Sequence, residues 1–116
     1  MNSILDSIKK LLGIDSTYQY FDADLIMHIN TVFMGLYQMG IGPAQCFSIS
    51  DSSSTWDEFI GDGVADLEAV KTYMYLKVKS VFDPPSSGAA ESLNRMMEEC
   101  EWRLYVSRDT NGGFLP

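Results

Sequence analysis

The residues with chemical potential are few in this chain, and their spacing assembles no catalytic machinery. His28 is the single histidine among 116 residues, so any imidazole catalysis must use it. Its helical neighbours Asp24, Leu25, Thr31 and Val32 supply no nucleophile–base pair, and a hydrogen-bonded structural histidine is the simpler reading. Asp57, Glu58, Asp62, Asp66 and Glu68 gather carboxylates around a glycine turn. Calcium takes such oxygens in a D-x-D-x-D-G order, which is absent; acids at helix starts explain the cluster better. Asp22 and Asp24 read the same way. Cys46 and Cys100 form no C-x-x-C pair and no cluster with histidine, so no zinc site is expected. Gly61-Asp62-Gly63 and Gly112-Gly113 lack the spacing and the lysine of a phosphate loop. Tyr73, Tyr75 and Tyr105 have no interleaved basic residues, as a single-strand groove needs. The chain reads as a non-enzyme, with no cofactor and no metal.

Composition narrows the remaining functions. A chain of this length fits one domain and buries a core without staples. The reading is a helical domain over 1–107 and a flexible tail over 108–116, where RDTNGGFLP has no periodicity. A net charge of −8 argues against a nucleic-acid-binding surface and against docking on anionic membranes. No run approaches a membrane span, and the N-terminus has no signal-peptide cleavage pattern, so synthesis in a reducing cytosol is expected. The charge is unevenly placed: no Lys or Arg lies between Lys10 and Lys71, while acids recur from Asp15 to Glu68. A single-sign segment makes a directed field that repels polyanions; plain solubility is the competing explanation.

These residues must be positioned by helices. Four main helices are predicted near 3–12, 22–39, 64–82 and 87–106, with a short one near 56–60 and an extended loop near 43–55. The fold class is all-α, a small helical bundle. Ser3 and Asp6 suggest a capping box for the first helix, with Lys9 and Lys10 suiting the dipole of its last turn. Asp22 is the expected cap of the second, and Met39-Gly40-Ile41 its Schellman-type end. Thr55 and Glu58 form a second capping box. QCFSIS, residues 45–50, reads as one strand or an extended segment.

The chain is organised around LEAVKTYMYLKVKSVFDPP, residues 67–85. Leu67, Val70, Met74, Val78 and Val81 share one core-facing stripe, and Pro84 and Pro85 stop the helix. Ala69, Thr72, Leu76 and Ser80 lie at the back, where a solvated helix carries charge. Either this helix is central to a bundle, or another subunit covers its back. The second helix poses a similar question: Leu25 to Ser50 contains no Asp, Glu, Lys or Arg. His28, Thr31, Gly35 and Gln38 make an uncharged strip that meets a neighbour within or beyond the subunit. On the last helix, Ala89, Ala90, Leu93, Met96, Met97, Cys100 and Leu104 are expected to share one face, and Trp102 and Val106 lie on the other.

Four stretches taken together carry a resemblance: IMHINTVFMGLYQMGIGP, FSISDSSSTWDEFIGD, LEAVKTYMYLKVKSVFDPP and LNRMMEECEWRL. In this order and spacing the chain resembles the head–tail connector proteins of long-tailed phages and prophages, also called head-completion or adaptor proteins. The resemblance runs from about Ile4 to about Val106. It implies a helical subunit of an oligomeric ring, typically of twelve copies, beneath the portal vertex. Such a ring sits in the virion neck and is built in the host cytoplasm. It joins the DNA-filled head to the tail and extends the DNA channel. The implied partners are other copies of the chain, the portal protein, and a stopper or tail-side protein. DNA passes through without specific recognition, and no membrane is involved. The family has no catalytic residues to carry over.

On this reading a ring uses two different patches that meet head to tail. The candidate interface residues are His28, Thr31, Gly35, Ala69, Leu76, Ser80, Trp102 and Val106. The candidate channel-facing acids are Asp57, Glu58, Asp62 and Asp66. The alternative reading is a small acidic protein-binding adaptor or regulatory module.

Overall fold

The computed structural model describes residues 3–42, 45–60 and 67–108. Five helices follow in order: α1 (Ile4–Leu11), α2 (Asp22–Gln38), α3 (Trp56–Ile60), α4 (Leu67–Phe82) and α5 (Ser87–Arg108). The fold is a small all-α bundle, as expected. Among the described residues there is no strand; Ser3 and Thr55 form one isolated antiparallel bridge. The predicted start of the central helix near 64, and the tail from 109 onward, lie outside the described residues.

Local chemistry sets the helix ends. Ser3 Oγ accepts the Asp6 N–H at 3.2 Å, capping α1. Thr55 and Glu58 make the reciprocal capping box of α3: the Glu58 N–H donates to Thr55 Oγ1 at 3.2 Å, and the Thr55 N–H to Glu58 Oε1 at 2.9 Å. At the end of α2, Gly40 takes φ +80°, which a side chain resists. That turn lets the Ile41 N–H reach Leu36 O at 2.9 Å and folds buried Ile41 back on the core, completing a Schellman end.

Asp22 departs from expectation. Phe21 occupies the cap position of α2 without a side-chain bond, and Asp22 is already helical. Its carboxylate accepts from Lys9 Nζ at 2.8 Å. Lys9 is only 1% exposed and also donates to Ser16 O at 3.0 Å. It is therefore a buried tie between α1 and α2 rather than a solvated dipole partner. Lysine is rarely so buried unless its charge is matched, and here a carboxylate and a carbonyl match it.

α4 is the middle of the bundle. It packs against α2 on one side and α5 on the other, and α1 rests on α2 and α4. Its expected stripe is buried at Val70, Met74 and Val78, but Val81 is 59% exposed. Its back is buried too, at Ala69, Tyr73 and Leu76. α3 is held under α2 by aromatic contacts, Phe33 to Phe59 at 4.9 Å and Phe33 to Trp56 at 6.3 Å. The indole N–H of Trp56 donates to Ser7 Oγ at 2.8 Å, tying α3 to α1. Residues 45–50 form no helix or strand. Instead the Asn30 side chain acts as the partner: its Nδ2 donates to Ile49 O at 2.9 Å, and its Oδ1 accepts the Ile49 N–H at 2.8 Å.

Candidate functional site

The uncharged strip of α2 and the end of α4 face each other across a cleft of about 260 Å³. Its α2 wall is His28, Thr31, Val32 and Gly35; its α4 wall is Tyr73, Lys77, Ser80 and Val81. Four of the expected interface residues, His28, Thr31, Gly35 and Ser80, thus meet at one place. The chain runs in opposite directions on the two walls, since Phe21 before α2 stacks edge-on against Phe82 at the end of α4, 5.1 Å between centroids. A β-carbon placed on Gly35 would meet no heavy atom within 4 Å. The glycine is therefore not required by packing inside the subunit. Met27 and Met34 flank Thr31 on the outer side of α2, and both are exposed. Methionine on an open helix face gives an adaptable apolar surface.

The rear wall of the cleft is tied to α5. The Tyr73 hydroxyl donates to Glu101 Oε2 on α5 at 2.9 Å. Burial, then the bond and charge of Glu101, push the Tyr73 phenol well above the ordinary tyrosine range. It stays protonated and acts as a strut between α4 and α5. The Lys77 ammonium lies 5.7 Å over the Tyr73 ring, placing a cation at the edge of the cleft.

Two residues leave the candidate interface. Ala69 and Leu76 are covered within their own chain, Leu76 to 2% exposure. The reason is position: α4 packs against both α2 and α5, so most of its apolar back is covered inside the bundle. Trp102 and Val106 remain on the outer side of α5, with Trp102 70% exposed, and Tyr105 is exposed beside them.

Of the candidate channel acids, Asp57 and Glu58 are exposed on α3, and Glu58 also closes its capping box. Asp62 and Asp66 lie outside the described residues. A second, polar concavity of about 700 Å³ lies between α1, its following loop, Trp56 and Lys71. Lys10 and Lys71, which bracket the cation-free stretch in sequence, both line it, together with Asp6 and Asp15. Lys71 Nζ lies 5.7 Å over the Trp56 ring. The Asp15 carboxylate accepts the Thr17 hydroxyl at 2.6 Å and the Thr17 N–H at 2.8 Å, which hold it below the ordinary carboxylate range. This is a turn-stabilising acid, poorly suited to taking a proton.

One surface escaped the sequence reading. Tyr18, Tyr20 and Phe21 contact one another, with Tyr20 and Phe21 4.9 Å apart, and both tyrosines are exposed. Their clustering in residues 15–21 was visible, but their union with Phe82 comes only from the antiparallel packing of α2 and α4. Among the described residues, no group of three or more metal-ligating side chains converges, and no helix is long and apolar enough to cross a membrane.

The sequence model of a family described as phage connector protein matches residues 4–111. No curated protein and no solved structure matches the chain significantly.

Proposed function

The chain belongs to the phage connector protein family, and from that premise we propose that it forms an oligomeric ring beneath the portal, joining the DNA-filled head to the tail. The observation that supports the ring most directly is the pair of unlike surfaces left open by one subunit. One is the α2–α4 cleft with its unfilled space at Gly35; the other is the exposed Trp102 side of α5. Unlike patches at different places on a subunit meet head to tail, and such contacts close into rings when the rotation allows. The partners on this reading are further copies of the chain, the portal protein, and a stopper or tail-side protein. Twelve copies is the ring size that the family resemblance implies.

The acidic, cation-free stretch from Asp15 to Glu68 then has a mechanical use. A duplex moving along a channel carries dense negative charge, and cationic walls would hold it through counterion release. Asp57 and Glu58 on α3 are the described acids proposed to face that channel. No step of this function involves bond chemistry, so the chain acts as a joint and a conduit.

In vitro head completion tests the proposal. Filled heads made without this chain should leak DNA and fail to accept tails, and added purified chain should restore both. Heads that are tail-competent without the chain would refute the reading and favour a protein-binding adaptor elsewhere in the infected cell.

A further inference from the structure

We propose that the α2–α4 cleft receives Trp102 from a second copy of the chain. The inference rests on the ring reading and specifies its contact. Trp102 is the most exposed large apolar side chain on the described helices, at 70%. An indole left in water on a helix is costly surface unless something covers it, and tryptophan is the residue most enriched among residues that dominate binding energy.

The cleft suits it in three respects. Its volume of about 260 Å³ is on the scale of one large aromatic side chain. Its α2 wall carries no fixed charge, and beyond the backbone of α2 itself nothing lies within 4 Å of a β-carbon position at Gly35. Val81, on the opposite wall, is 59% exposed despite lying on the core stripe of α4, so its own chain leaves it uncovered.

Charge points to a copy of this same chain as the occupant. Glu98 and Glu99 lie one turn before Trp102 and are exposed. Lys77 is a cation at the cleft's edge, and seating Trp102 would let those carboxylates approach it. Complementary charges around a buried anchor set register and suppress wrong partners. The donor and acceptor surfaces lie on different helices, α5 on one side of α4 and α2 on the other. Each subunit can therefore give Trp102 to one neighbour and receive another's, which is the head-to-tail arrangement.

Fluorescence reads this directly. In a Trp56→Phe variant, Trp102 is the only indole. With the signal of heads alone subtracted, its quenching by acrylamide should fall when the chain joins portal-bearing heads, as the indole leaves water. Adding Gly35→Leu should leave a folded chain by far-UV circular dichroism, because the site has room, yet abolish both joining and protection. Trp102→Ala in the otherwise native chain should fold and fail to sediment with heads, so the outcome does not depend on Trp56→Phe alone. Assembly with Trp102 still fully quenched overturns the seating and leaves the ring reading intact. So does undiminished protection in Gly35→Leu. A chain that never joins heads overturns both.

Discussion

Replacing Leu76 separates what holds the subunit together from what holds subunits to each other. Leu76 is 2% exposed on α4, the helix that packs against both α2 and α5. Full burial of a leucine is worth about 1.5–3 kcal/mol. Leu76→Ala adds the cavity it leaves, for a total of about 2–5 kcal/mol. A domain of this size is stable by about 6–17 kcal/mol at roughly 0.05–0.15 kcal/mol per residue. The Ala variant should therefore remain folded with a strongly lowered urea midpoint and an unchanged slope. Leu76→Glu is more severe, because an unpaired carboxylate would be desolvated between two helices, and it should unfold the chain. Urea titration followed by far-UV circular dichroism measures both. A Leu76→Ala variant with the native midpoint that no longer joins heads would refute the reasoning and return Leu76 to the subunit interface.

Gly35→Ala should stabilise the isolated chain by about 0.5–1 kcal/mol, since helix propensity improves and no atom obstructs the new methyl; an unchanged or lower thermal midpoint would contradict this. Asp22→Leu strands the buried Lys9 ammonium and should cost about 3–5 kcal/mol in urea unfolding, while Lys9→Met combined with Asp22→Leu should recover most of that loss. A loss in the double variant equal to the sum of the two single-variant losses would show that the pair is not coupled. Tyr73 sets an alkaline limit. Its folded proton is held beyond the ordinary range of about pH 10, so the unfolded chain releases its proton first. Stability should be intact below that range and fall as pH rises through it. Tyr73→Phe should be less stable at neutral pH, having lost the bond to Glu101, and should decline less steeply above pH ~10. Parallel declines would contradict the assignment.

The helices were legible in the sequence because their signals are local. Caps at Ser3 and Thr55, the glycine end at Gly40 and the double proline after Asp83 act within a few residues of themselves. The partners of single side chains were not legible. Lys9 and Asp22 looked like separate dipole residues, since nothing local reveals that the loop over 12–21 folds one onto the other. Asn30 looked like one more uncharged residue of α2; its role in pinning Ile49 depends on a contact 19 positions away. Leu76 shows the same limit from another side. An apolar back face looks identical whether α5 or another subunit covers it, and only the placement of α4 between two helices decides. The strip at His28, Thr31 and Gly35 was legible as uncharged surface on α2, and in the structure it lines one wall of the cleft. Its counterpart wall at Ser80 and Val81 was scattered over the α4 pattern, and only the antiparallel crossing of α2 and α4 brings the two together.

Electron cryomicroscopy of tailed particles carrying a tag on this chain tests the central claim most directly. The account predicts a closed ring of identical helical subunits around the DNA channel, immediately below the portal, with the tag repeated once per subunit. Intact, DNA-filled, tailed particles with no density for the chain at the neck, and the tagged chain recovered only in the soluble fraction, would contradict it.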